Sequence, residues 1–235
     1  MPIKKHVPNV ITLINLLCGC IAIVMIANTD YYMAFFFVSL GIFFDFFDGF
    51  FARLFRVSGP LGLQLDSLAD MVTSGVAPGF VMYKLLSNPT VFDGNIFMPY
   101  LGFVITLGAC YRLANFNIDT RQTDSFIGLP TPANALFILS LPLINVGFFD
   151  DNFSGVIFNK WVLLAITFLS AYIMNAEIPL FSLKIKDFTF QKNALQIVFL
   201  TLSVLLLSFF QYLGIPLVII FYVLLSVIQN QFLKK

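Results

Sequence analysis

Charge is scarce in this sequence. Asp, Glu, Lys and Arg together make up 11% of its 235 residues against 59% apolar residues, and the mean hydropathy is +0.93. So little polar surface cannot coat a water-soluble globule, and the bilayer must serve as solvent for most of the chain. The formal net charge of +1 leaves no basic surplus to neutralise phosphates, which excludes a nucleic-acid partner. Histidine occurs once, at His6, so neither a histidine-based metal site nor a Ser-His-Asp triad can be assembled. The three cysteines, Cys18, Cys20 and Cys110, all fall inside apolar runs. Cys18 and Cys20, two positions apart, point to different sides of a helix and read as small packing residues rather than metal ligands. No internal repeat, soluble domain or low-complexity linker interrupts the chain, and residues 1–235 read as a single integral-membrane domain.

What is abundant is long apolar runs. A helix needs about 20 apolar residues to cross the hydrocarbon core. Runs near 8–28, 31–56, 61–86, 97–116, 131–149, 160–176, 193–212 and 214–233 predict an all-α, polytopic fold with about eight transmembrane helices. The positive start at Lys4 and Lys5 resembles a signal peptide. Its apolar run is too long for one and no A-x-A site follows, so it reads as a retained first span. Turn chemistry separates the runs, as in Ser87-Asn88-Pro89 and Gly128-Leu129-Pro130. The last break, Leu213-Gly214-Ile215-Pro216, reads either as a turn between two helices or as a kink in one. With the N-terminus inside, Lys4, Lys5, Arg53, Arg56, Arg112, Arg121, Lys184, Lys186, Lys192, Lys234 and Lys235 lie on the cytoplasmic side, and only Lys84 and Lys160 lie outside. That asymmetry predicts a multi-pass protein of the cell (inner) membrane with both termini cytoplasmic.

Against this background the stretch from Asp45 to Asp70, DFFDGFFARLFRVSGPLGLQLDSLAD, carries four aspartates and two arginines. Asp45 and Asp48 are i,i+3 near the inner end of helix 2; Gly62, Asp66 and Asp70 are i,i+4,i+8 on helix 3, so each set occupies one stripe. Ser58-Gly59-Pro60 makes the turn between them, and Gly49, Ala52 and Gly62 keep the facing surfaces small. The spacing predicts four carboxylates converging between helices 2 and 3 at the cytoplasmic side. Arg53 and Arg56 cannot neutralise four carboxylates, whereas hard divalent cations can. Two cations held by shared carboxylates can clamp a phosphoryl group. Arg53 is placed to grip a phosphate oxygen, and Gly49 lets a ligand approach the backbone. A diphosphate-bearing lipid fits such a place, and a cation path of a transporter is the alternative from the carboxylates alone.

The pattern D-x₂-D-G-x₂-A-R-x₈-G-x₃-D-x₃-D, read through Asp45, Asp48, Gly49, Ala52, Arg53, Gly62, Asp66 and Asp70, resembles the signature of the CDP-alcohol phosphotransferase family. The resemblance implies a helical membrane enzyme that moves a phosphatidyl-type group from a CDP-activated lipid to an alcohol and releases CMP. It implies two divalent cations, Mg²⁺ or Mn²⁺ with Ca²⁺ also compatible. Asp45 and Asp66 would bridge them, Asp48 and Asp70 would complete the two sites, and Asp70 would also act as the general base. Gly49, Arg53 and Gly59 would contact the CDP-lipid, with Ala52 and Gly62 beside them. On helix 1, Asn9, Thr12 and Asn15 either line the nucleotide mouth or bond to neighbouring helices. A homodimer is a further implication of the family.

Three flanking stretches, PNVITLINLLCG at 8–19, YRLANFNID at 111–119 and FIGLPTPAN at 126–134, are similar to segments of the branch that uses L-serine as acceptor and CDP-diacylglycerol as donor. Arg112, Asn115, Asn117, Arg121 and Thr131 then become candidates for holding serine, against a plain positive-inside role for the two arginines. Lys184 and Lys186 read as anchors to anionic lipid. The remaining alternatives keep the family and change the acceptor to glycerol 3-phosphate or inositol phosphate.

Overall fold

The computed structural model describes residues 3–57, 59–89, 91, 94–119, 127–144, 156–181 and 193–233. Helix α1 spans Ile3–Ala27 and helix α2 spans Tyr31–Phe55. Between them Thr29 takes a left-handed φ of 62°, and Asp30 caps α2 by accepting a hydrogen bond from Met33 N at 3.1 Å. The tight reversal makes α1 and α2 an antiparallel pair, the most extensive helix pairing in the fold. Helix α2 stops at Arg56, whose φ of 55° turns its N–H back to the carbonyls of Ala52 and Arg53. Gly59 is extended, and Pro60 opens α3, Pro60–Asp70, where its fixed φ suits the first helical turn and its missing N–H is no loss.

The expected span at 61–86 is helical throughout but not uniform. After Asp70 the backbone widens into a π turn, Met71–Val76, before α4, Ala77–Leu86. A 3₁₀ turn, Pro99–Phe103, then leads into α5, Val104–Phe116. It crosses α4 in backbone contact, for a Cβ at Gly102 would lie 2.5 Å from Tyr83 N. Helix α6 covers Thr131–Ser140 and α7 covers Lys160–Asn175. Helices α8, Ala194–Phe210, and α9, Gly214–Leu233, close the chain.

Among the described residues three stretches are long and apolar enough to cross a membrane: His6–Ala27, Tyr31–Phe55 and the 37-residue Leu195–Gln231. The last is folded back on itself. Gln211 has a φ of 48°, and the Phe199 ring lies 6.1 Å from Phe221 and 5.4 Å from Tyr222. Of the two sequence readings of the Gly214 region, the turn is therefore the one observed, with α8 and α9 antiparallel. No β-strand occurs among the described residues; a single antiparallel bridge joins Ile127 to Pro179.

The core is built largely of small and branched residues, including Ala22, Ala34, Val38, Ala77, Val81, Ala109, Ile138 and Leu163. Small side chains let helix backbones approach closely, which is what drives association where lipid is as apolar as the protein. Of the cysteines, Cys18 is buried while Cys20 and Cys110 face outward, all unpaired. On α2 the two faces divide cleanly: Phe43, Phe46, Phe50 and Leu54 are exposed, whereas Asp48 is buried. Of the phenylalanines between the aspartates, Phe46 and Phe50 thus form the outward side of the helix, while Phe47, Phe51 and Phe55 are half-buried. Lys84 lies at the far end of the α1–α2 pair from Arg53 and Arg56, where its Nζ donates to Ala27 O at 3.1 Å.

Candidate active site

The four aspartates converge. Asp45, Asp48 and Asp66 each offer a carboxylate oxygen within 4.8 Å of the other two, and Asp70 is buried one turn beyond Asp66 on α3. Asp48 and Asp70 are buried, at 6% and 8% exposure. Among the described residues no lysine or arginine pairs with any of them, and Arg53 instead donates from Nε to its own helix at Gly49 O, 3.0 Å. Asp45 Oδ1 is buried without a hydrogen-bond partner. Crowded, uncompensated carboxylates are costly inside a membrane protein, and an orphaned buried oxygen is rare unless it serves something else. The separation also fits a shared ion, since two oxygens on one hard cation, each about 2.1–2.5 Å away, can lie up to about 5 Å apart. The residues present therefore suit a divalent cation with oxygen ligands.

Helix α1 forms a polar lid over this cluster. Thr12 donates its hydroxyl to Asp48 Oδ2. One turn further on, Asn15 Nδ2 donates to Asp70 Oδ1 at 3.2 Å. Asn9 lies half-buried opposite Gly62, whose Cβ position is 3.5 Å from Asn9 Oδ1. Thr12 and Asn15 thus bond to neighbouring helices through the aspartates themselves, and Asn9 and Thr12 also line the cleft beside them. The amide link to Asp70 escaped the sequence reading because only the pairing of α1 with α3 brings the two together; the Asn9, Thr12, Asn15 spacing was the available signal.

Beside the aspartates opens a cleft of about 380 Å³. Its walls include Asn9, Thr12, Asp48, Gly49, Ala52, Arg53, Gly59, Gly62 and Asp66, so every residue singled out for the CDP-lipid lies on one surface. A Cβ at Gly49 or Gly59 would meet no protein atom within 4 Å. These glycines are not demanded by packing; they leave open the space in front of the backbone.

The candidates for holding serine are dispersed. Arg112 is buried, and its Nη1 donates to Ile127 O at 2.7 Å and Met174 O at 2.8 Å. It lines a separate cavity of about 150 Å³ with Asn115, Asp119 and Glu177. Asn117 pairs with Ser67, Nδ2 to Oγ at 2.9 Å, next in the chain to Asp66. Thr131 is buried at the first residue of α6. None of the three lines the aspartate cleft. Arg121, Lys184 and Lys186 lie outside the described residues.

A helical membrane protein with four carboxylates beside a glycine-lined cleft has a counterpart among known families. The chain belongs to the CDP-alcohol phosphatidyltransferase family, whose profile matches residues 5–173. Among its relatives, the CDP-diacylglycerol--serine O-phosphatidyltransferase of Bacillus subtilis is 34% identical over 141 residues, covering 58% of this chain and 75% of the relative. The protein of the same name from Helicobacter pylori is 32% identical over 167 residues, 69% of each chain. The archaetidylserine synthase of Methanothermobacter thermautotrophicus is 29% identical over 147 residues, 61% of this chain and 60% of the relative.

Proposed function

We propose that this chain transfers the phosphatidyl group of CDP-diacylglycerol to the hydroxyl of L-serine, giving phosphatidylserine and CMP. The observation that carries the reading is the grouping of Asp45, Asp48 and Asp66, with Asp70 buried one turn beyond Asp66, beside a cleft walled by Gly49 and Arg53, in a family whose cited relatives are named for serine as acceptor. Asp45 and Asp66 would be shared between two divalent cations, Mg²⁺ or Mn²⁺, with Asp48 and Asp70 completing one site each. When bound, the cations supply positive charge beside the diphosphate, so that CMP departs without a protonating acid. Gly49 and Gly59 give the diphosphate access to the backbone, and Arg53 at the rim offers its guanidinium to a phosphate oxygen. Asp70 takes the proton from the serine hydroxyl, a weak nucleophile at neutral pH, as that oxygen attacks the lipid-proximal phosphorus. Asn117, held beside Asp66 through Ser67, is the best placed of the serine candidates.

The test is CMP release by purified protein given CDP-diacylglycerol with serine, glycerol 3-phosphate or inositol. Release should depend on serine; turnover with glycerol 3-phosphate and none with serine would discard the acceptor while keeping the family. Gly49→Ala provides an internal check of the cleft. Its methyl meets no protein atom, and alanine favours the helix by up to about 1 kcal/mol. The variant should be as stable as the parent or more so, yet show a KM for CDP-diacylglycerol raised about tenfold. An unchanged KM would place the diphosphate elsewhere.

We further propose a single domain over residues 1–235, with eight spans, as a homodimer in the cell membrane, both termini and the aspartate site on the cytoplasmic side. The excess of Lys and Arg on that side supports the orientation. Tags on the two ends should both resist protease in sealed right-side-out vesicles. Cleavage of one alone would overturn the even span count, and cleavage of both would overturn the orientation.

A further inference from the structure

We propose that Asn15 is the positioning residue of Asp70 and that Thr73 locks its amide in the working orientation; this rests on the reading of Asp70 as cation ligand and proton acceptor. Asn15 and Thr73 are each 0% exposed. While Asn15 Nδ2 donates to Asp70 Oδ1 at 3.2 Å, its own Oδ1 accepts from Thr73 Oγ1 at 2.9 Å. Asp70 ends α3 and Thr73 sits in the π turn that follows, so the widened turn sets both groups against one side chain of α1.

The surroundings leave the amide no freedom. A Cβ at Gly19 would lie 2.5 Å from Thr73 Oγ1, and one at Gly41 would lie 2.8 Å from Asn15 Oδ1 and 2.9 Å from Thr73 Cγ2. Glycines on α1 and α2 thus let three segments close on this one group. A flipped amide would face Asp70 with a second acceptor, so the carboxylate selects the unflipped form; in that form the Thr73 hydroxyl is the partner of Oδ1 at 2.9 Å, with the main-chain O of Asn15 also in reach at 3.2 Å. The chemical advantage is specific. An amide is a neutral donor, so it fixes Asp70 Oδ1 without cancelling the carboxylate charge, as an arginine would. Oδ2 is left to meet a cation or a hydroxyl proton. Second partners of this kind orient a ligand and set its strength, and small misplacements of a reacting group are expensive.

The experiment compares Asn15→Leu, Thr73→Val, their combination and Thr73→Ser in the full chain, reconstituted in nanodiscs. Four quantities are read: kcat for serine-dependent CMP release, KM for CDP-diacylglycerol, Mn²⁺ affinity without lipid substrate, and the thermal midpoint. Asn15→Leu and Thr73→Val should each lower kcat or Mn²⁺ affinity about 10- to 100-fold with KM for CDP-diacylglycerol unchanged. The double variant should be no worse than Asn15→Leu, because the two act through one contact. Thr73→Ser, which keeps the hydroxyl, should behave as the parent. The proposal is overturned if the variants lower only the thermal midpoint, or if the two losses multiply. Should Asn15→Leu not fold, the contrast between Thr73→Val and Thr73→Ser decides alone. If the parent releases no CMP with any alcohol, the assigned reaction fails, and the Mn²⁺ affinities still decide whether Asn15 and Thr73 position Asp70.

Discussion

Asp70→Asn should retain the CDP-lipid and lose turnover by about 10²- to 10⁴-fold or beyond, the range a positioned general base contributes. The substitution is nearly isosteric. Its amide oxygen can still accept from Asn15 Nδ2, the bond seen at 3.2 Å in the parent, so the α1–α3 contact survives. What disappears is a group able to take a proton at neutral pH. Equilibrium binding of CDP-diacylglycerol alongside single-turnover CMP release separates the two consequences. Near-normal turnover at saturating cation and serine would reduce Asp70 to a ligand, and the proton acceptor would have to be sought elsewhere.

The second large effect should carry opposite signs in two conditions. Asp45 is set apart among the four by a buried Oδ1 without a hydrogen-bond partner, and Asp48 and Asp66 each have an oxygen within 4.8 Å of one of its own. Without cations, Asp45→Asn removes one of four crowded charges and should raise the thermal midpoint, because like charges in a poorly solvated site oppose folding. With cations the order should reverse. A ligand at 100 times its Kd stabilises the folded parent by about 2.7 kcal/mol, and the variant should gain little of this and release no CMP at any cation concentration. Thermal unfolding with and without Mn²⁺ gives both signs in one series. A variant stabilised by Mn²⁺ as strongly as the parent would show that the ions are held without Asp45. Asp66→Asn, at the half-buried edge of the cluster, should be milder, with part of the activity restored by excess cation.

Some features were legible in the sequence because they depend only on local period. Asp45 and Asp48, and likewise Asp66 and Asp70, share a helical stripe whatever surrounds them, and the turn at Gly59-Pro60 brings the stripes together. The turn at Gly214 announced itself too, although residues alone could not separate reversal from kink. That distinction lay in Phe199 meeting Tyr222, a contact between positions far apart in the chain. Other features were illegible for the same reason. Arg112 had the look of an anion ligand, yet its guanidinium spans two carbonyls from separate segments. The π turn left no mark in the apolar pattern, since Met71-Val72-Thr73-Ser74-Gly75-Val76 also suits an ordinary helix.

That π turn has a consequence for how the segment tolerates change in length. A wider turn accommodates an extra residue relative to the α-helix on either side, so removing one residue from Met71–Val76 lets the backbone regularise at little local cost. Everything after the cut would then keep its phase relative to Asp70. Val81 and Met82, both 0% exposed in the core, would hold their places, as would Asp66 and Asp70, and the loss would fall on Thr73 and its bond to Asn15. A single-residue deletion scan should therefore show folding retained for cuts within 71–76 and lost for cuts within Ala77–Leu86, where no wide turn absorbs the change. Between an aspartate site and an apolar core on one continuous rod, the wide turn is the one place where length can change without turning one end against the other.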